Sequence, residues 1–230
     1  EYNGKLTLNG DVHLISADGC KMTIYPGEND ENAYSLYGSN SDLAIYGQGG
    51  TDATGKSTEG QLTVTALLVG IDVNSLTING GQVIASSKGE GIVIWTLEDI
   101  TINGGQVTVT SNDGPKGIYA ERDVTINGGQ VMVTETNCQD GIYADRDVTI
   151  NGGQVTATVK KGSGINARGN VTISGGQVEA NGKYGIMAIG YKDNQNNIDL
   201  TEFYTNIHST EDIALCITAS LYADRDDVIE

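Results

Sequence analysis

One short phrase recurs along this chain at nearly constant spacing. Ile-Asn-Gly-Gly-Gln-Val begins at Ile78, Ile102, Ile126 and Ile150, and returns as Ile-Ser-Gly-Gly-Gln-Val at Ile173. The spacings are 24, 24, 24 and 23 residues. A fixed period of this length belongs to solenoids and propellers. Residues 117–131 and 141–155 differ only at Glu121 against Asp145. A weaker copy, Gly60-Gln61-Leu62-Thr63-Val64-Thr65, precedes the series, and Leu6-Thr7-Leu8-Asn9-Gly10 reads as a more distant one.

Within one unit the apolar period is two. In residues 123–145, Val124 and Ile126 alternate with Thr125 and Asn127. Gly128-Gly129 turns the chain. Val131 and Val133 then alternate with Gln130, Met132 and Thr134. After polar residues 135–140, Ile142 and Ala144 alternate with Tyr143 and Asp145. This predicts three short strands per unit, each with one apolar face, and no helix in the region. Such strands cannot bury their inner faces alone, so successive units must stack. The predicted fold is all-β, a single right-handed parallel β-helix with three short strands per coil. The inner columns are Leu76, Ile78 and Val83, then Ile102 and Val107, then Val124, Ile126, Val131 and Val133, and onward to Val171, Ile173 and Val178. They are core, with no chemistry of their own. The 32 glycines among 230 residues fall largely at corners, where a Gly-Gly pair adopts angles that a Cβ forbids. Gly117, Gly141, Gly164 and Gly185 are expected to start the third strand of their coils. We read residues 60–190 as regular repeats, residues 1–59 as irregular N-terminal coils or cap, and residues 191–230 as a C-terminal coil or cap, together one domain. The tail around Tyr222 to Asp226 reads as a residual coil.

The net charge of −17 argues against nucleic acid, whose phosphates would be repelled. No apolar run approaches the roughly 20 residues of a membrane span. Three widely spaced cysteines (Cys20, Cys138, Cys216) and two histidines (His13, His208) give no zinc-site spacing. The chain begins at Glu1, which reads as a mature or trimmed form whose targeting segment is not visible. A monomer is expected.

Outward positions stack as well. One column is Thr77, Thr101, Thr125, Thr149 and Thr172. A second is Asn79, Asn103, Asn127, Asn151 and Ser174. A third is Gln82, Gln106, Gln130, Gln154 and Gln177. Their structural reading is mutual hydrogen bonding along the coil. Charge stacks too. Asp99, Asp123 and Asp147 precede the first strand of successive units, followed by Asn170. Glu121 and Asp145 lie two residues earlier, interleaved with Arg122 and Arg146. Carboxylates about 5 Å apart repel unless compensated. Three compensations fit the sequence: backbone amides in Asx-type turns, bridging by Arg122 and Arg146, or calcium, which takes several oxygens. Asp113 and Asp140, with Glu90, form a second acidic set. Asp72, Tyr119, Tyr143 and Asn166 share a further outward column, in which Tyr119 and Tyr143 are candidates to stack on a sugar ring. No Gly-x-Ser-x-Gly, Walker loop or His-Glu-x-x-His occurs. The expectation is a non-catalytic protein. The enzymatic alternative is a polysaccharide lyase, for which Lys160, Lys161 and Arg168 are the nearby candidate bases.

Leu43-Ala44-Ile45-Tyr46-Gly47, then Gly60 to Thr65, then the repeated Gly-Ile-x-Ala-x-x-Asp-Val-Thr-Ile-Asn-Gly-Gly-Gln-Val resemble the bacterial cell-surface carbohydrate-binding β-helix family. The resemblance covers about residues 40–190. It implies a fold like that of polysaccharide lyases, calcium, and binding of acidic sugars such as polygalacturonate, or of cellulose. That family usually has Asp-Gly-Ile at the third strand. Asp140-Gly141-Ile142 keeps it and Glu90-Gly91-Ile92 is close, while Lys116-Gly117 and Ser163-Gly164 depart. The resulting expectation is an extracellular or surface-bound protein that binds acidic polysaccharide through calcium. The ligand candidates are Tyr119, Tyr143, Arg122, Arg146 and Arg168. The calcium candidates are Asp99, Glu121, Asp123, Asp140, Asp145 and Asp147. The structural alternative is a stalk domain of a bacterial adhesin with no ligand of its own.

Overall fold

A computed structural model describes residues 1–26, 34–49, 59–135, 137 and 139–189, together with the strand backbones 198–200, 205–209 and 215–218. Among these residues there is no helix, and all strand pairing is parallel. Each coil places one strand on each of three faces. In a representative coil these are Val124–Ile126 on the first face, Gln130–Glu135 on the second and Asp140–Ala144 on the third. Among the described residues nine strands make the second face, from Tyr2–Asn3 to Thr205–Ser209. The first and third faces belong to one sheet, because Tyr34–Gly47 and Val69–Ile78 run unbroken around the corner between them. Later coils break at that corner, where the column of Asp99, Asp123 and Asp147 begins.

Stacking is residue on equivalent residue. Ile102 pairs with Ile126, Ile126 with Ile150, and Ile150 with Ile173. Val107, Val131, Val155 and Val178 form the matching row on the second face. Ile118, Ile142, Ile165 and Ile186 form that of the third. All are essentially fully buried. Each such side chain contributes about 1.5–3 kcal/mol on burial, and β-branched residues suit this packing. A one-residue slip would turn every row outward, so the core fixes the register.

The corner after the first strand depends on the second glycine of each pair. Gly81, Gly105, Gly129, Gly153 and Gly176 have φ between +83° and +88°. A Cβ on Gly105 would also lie 2.5 Å from the Gly81 carbonyl oxygen, and the same approach repeats at the next three corners. The third-strand glycines answer to a different constraint. Gly117 and Gly141 are the second residues of their strands, with ordinary φ. A Cβ on Gly117 would meet Val133 Cγ1 at 2.6 Å, so its place is filled by the neighbouring core.

The N-terminal stretch is more regular than its sequence. Lys21–Tyr25 pairs with the second-face strand Gln61–Ala66, and Val12–Ser16 pairs with Leu43 to Gly47 on the first face. Leu6–Thr7 pairs with Leu36 and Tyr37 on the third face, so its likeness to the first-face phrase is misleading. The backbones of Ile198–Leu200, Thr205–Ser209 and Leu215–Thr218 continue the three faces in parallel register. Residues 222–226, read as a residual coil, lie outside the described residues, as do Cys138 and the side chain of Cys216. Cys20 is exposed and free.

The two glycines of one corner should respond differently. Gly105→Ala is expected to lower stability by about 2–3 kcal/mol, from the strained φ and the carbonyl contact. Gly104→Ala, with ordinary φ and 3.4 Å to the Asn79 oxygen, should stay within about 0.5 kcal/mol. Chemical denaturation of both variants checks this, and equal losses would contradict the corner argument.

Candidate functional site

The outward column of the third face gathers the chemistry. Register places Tyr37, Asp72, Trp95, Tyr119, Tyr143, Asn166 and Met187 in one row, one residue per coil. The Trp95 and Tyr119 rings are near-parallel, with centroids 6.3 Å apart. Tyr143 meets Tyr119 edge-on at 5.3 Å. Lys116 places its ammonium over both tyrosines, 4.2 Å from the Tyr119 ring centre and 4.0 Å from that of Tyr143. A cation so placed is attracted by both ring faces. At one end of the row Lys5 lies over Tyr37; beyond its other end Lys183 lies over Tyr184, which is in register with Ser163 and not with the row.

Asp145 ties this row to the adjoining corner. It accepts hydrogen bonds from the Tyr119 hydroxyl at 2.6 Å, the Tyr143 hydroxyl at 3.0 Å and Arg168 Nη1 at 3.1 Å. Burial pushes its carboxyl up, but those three donors outweigh burial and hold it below the usual range. Burial first, and the Asp145 bond and charge with it, push both tyrosine hydroxyls well above their ordinary value. Burial lowers Lys116, with the charges of Asp140 and Asp145 opposing. Asp140 is buried and raised by desolvation, against hydrogen bonds from Asn166 Nδ2 at 3.1 Å and the Ser163 amide at 3.3 Å. Asp72, only 4% exposed, is raised to about 6 by burial and then by the charge of Glu121.

The first-face corner column is compensated mainly by backbone. Asp99 Oδ1 accepts the Asp123 amide at 3.1 Å, Asp123 Oδ1 accepts the Asp147 amide at 2.9 Å, and Asp147 Oδ1 accepts the Asn170 amide at 2.6 Å. Each carboxylate therefore caps the next coil. Asp42, in the same column nearer the N-terminus, is held by side chains of the next coil: Asn74 Nδ2 and Ser75 Oγ each donate to its Oδ1 at 2.7 Å. Arginine adds to this: Arg146 Nε lies 3.9 Å from Asp123, and Arg122 is ion-paired with Glu98. Among the described residues no three His, Cys, Asp or Glu side chains converge to hold a metal. The carboxylates expected as calcium ligands are thus spread over three columns, Asp99, Asp123 and Asp147 in one, Glu121 and Asp145 in a second and Asp140 in a third, and as they stand do not fit a calcium site built by the chain alone. Asp113 is separate again, accepting from Asn137 at 2.7 Å.

The Asn column is a ladder of hydrogen bonds. Asn103 donates to Asn79 at 2.9 Å, Asn127 to Asn103 and Asn151 to Asn127 at 2.8 Å each, and Ser174 to Asn151 at 2.7 Å. The Gln column behaves alike, from Gln130 to Gln154 at 2.8 Å for example. Both ladders reinforce register.

Of the residues expected at a ligand site, the fold brings Tyr119, Tyr143, Asp140, Asp145 and Arg168 together on or beside the third face. Glu121 acts on Asp72 from the corner. Arg122 and Arg146 serve the corner column instead. Sequence reasoning missed Trp95 and Lys116. Aligning Gly91-Ile92 with Gly117-Ile118 puts Val93 in the tyrosine column. Counting back from Asp99, as Tyr119 counts back from Asp123, gives Trp95 and matches the observed pairing of Ile94 with Ile118.

Residues 9–185, roughly three quarters of the chain, match the family of carbohydrate-binding domain-containing proteins. The chain belongs to this family. No curated protein and no solved structure matches it. The matched span of this carbohydrate-binding family member includes the whole row from Asp72 to Asn166. No helix among the described residues is long and apolar enough to cross a membrane.

Asp72 gives a test of this site's electrostatics. Its folded pKa, raised from 3.8 to about 6, means that the folded chain holds the proton more tightly than the unfolded chain. Its destabilising effect therefore grows as pH rises from about 4 to about 6, then stays constant. Asp72→Asn should raise the melting temperature at pH 7.5, equivalent to about 2–3 kcal/mol, and change it little at pH 4. An equal effect at both pH values would contradict this.

Proposed function

We propose that this protein binds polysaccharide along its third face, without cleaving it, and that its ligands are acidic glycans met outside the cell. The observation that carries the reading is the row Trp95, Tyr119 and Tyr143 with Lys116 and Arg168 among its polar neighbours. Aromatic rings beside a few fixed polar groups are the usual make-up of a sugar site. Lys116 takes one face of each tyrosine, so Trp95 is the ring best placed to meet a sugar. The tyrosines hold Asp145, and with it Arg168. A net charge of −17 repels an anionic chain at long range. Lys116 and Arg168 are the local cations that offset this. The alternative is a calcium ion shared between protein carboxylates and sugar carboxylates, since the sugar would supply the ligands that the chain does not gather.

Retention on polygalacturonate, cellulose and neutral glycans, with and without EDTA, tests the reading. Binding to polygalacturonate should survive EDTA and fall about tenfold or more in Lys116→Met and Arg168→Ala. Retention abolished by EDTA and indifferent to both substitutions would assign carboxylate recognition to shared calcium. No retention across the panel would refute polysaccharide binding. A lyase reading has one observation in its favour, the lowered pKa of Lys116. The same incubations, followed in the ultraviolet, should show no unsaturated product.

A further inference from the structure

Three buried polar atoms on third-face strands have no hydrogen-bond partner, Trp95 Nε1, Ser163 Oγ and Asn166 Oδ1, and two of them, Trp95 Nε1 and Asn166 Oδ1, lie in the outward row. The Asn166 side chain is 3% exposed, and its amide nitrogen is already given to Asp140. Buried donors and acceptors are almost always satisfied, so an orphan of each kind calls for an explanation. Their placement supplies one. Trp95 pairs with Tyr119, Tyr119 with Tyr143, and Tyr143 with Asn166. The two atoms belong to one outward row, three strand steps apart, with two tyrosines between. At about 4.8 Å per step the separation of the two positions is about 14 Å along the solenoid axis.

We infer that this row is a four-register track for a linear 1,4-linked oligosaccharide lying along the solenoid axis. Trp95 Nε1–H donates to a ligand oxygen at one end, and Asn166 Oδ1 accepts from a ligand hydroxyl at the other. A sugar hydroxyl can play either part. The strand spacing is close to the length that one pyranose unit adds to an extended chain, so each unit meets one coil: Trp95, Tyr119, Tyr143, Asn166. A chain crossing the face at right angles would meet only one of the two orphan atoms. This track rests on the polysaccharide-binding reading, and it adds the direction and the minimum length of the bound glycan.

The test is calorimetric titration of the whole protein with two series, oligogalacturonides and cello-oligosaccharides, each from two to six units. In at least one series the association constant should rise about tenfold or more between three and four units and then level off. Trp95→Phe keeps a ring but removes the N–H, and should erase that step. Asn166→Leu should erase it too, with a melting curve of the free variant to establish folding. Affinity that does not depend on length beyond the dimer would overturn the track, as would a full step in Trp95→Phe, which would mean that water satisfies the indole. Failure of both series to bind would overturn it as well. Retention on polymer without the step removes the track and leaves polysaccharide binding standing, whereas loss of retention removes both.

Discussion

In-register stacking across a glycine corner is the constraint on which this molecule depends. At Gly105, Gly129, Gly153 and Gly176 the coil turns on a second glycine that has φ near +85° and lies too close to the preceding coil's carbonyl for any side chain. That corner fixes where the second-face strand starts, and hence which residues point inward. Because Ile stacks on Ile and Val on Val, the same register that buries the core aligns every outward side chain with its equivalent one coil away. Ladders of Asn and Gln follow without further cause, and each hydrogen bond they form opposes a slip.

Alignment of like residues is harmless for amides and hostile for charges, and the molecule resolves the difference locally. In the corner column each aspartate accepts the amide of the next coil, so stacked carboxylates become caps. On the third face the solution is different, because there the repeat is least uniform. Asp72, Trp95, Tyr119, Tyr143 and Asn166 occupy equivalent positions with unlike chemistry. The result is a mixed row in which Asp145, Lys116 and two tyrosines hold one another in place. A repeat protein gains a binding surface where its coils stop being copies, since identical ladders satisfy themselves.

Much of this was legible in the sequence. The period, the three strands, the inner rows and the amide ladders all follow from residue spacing, because a two-residue alternation leaves one choice of buried face. The acidic column was visible, but its compensation was not: amide, arginine and calcium depend on distances of a few ångströms, and the amides carry Asp99, Asp123 and Asp147. Tyr119 and Tyr143 were visible as outward rings, yet the cation over them comes from Lys116, in a segment where the repeat breaks. Trp95 was hidden by a change of length before its strand. The N-terminal coils were hidden for a similar reason, since they lack the Gly-Gly phrase but keep the pairing.

The central claim is that ligand contact belongs to the third face and not to the second face, with its Gln ladder, beside it. Each face carries an oxidisable reporter: Trp95 on the third, and Met132, 51% exposed, on the second. Hydroxyl-radical footprinting of the whole protein with and without bound polysaccharide compares them directly. The account predicts that ligand protects Trp95 and leaves Met132 as reactive as before. Protection of Met132 with Trp95 unchanged would contradict it.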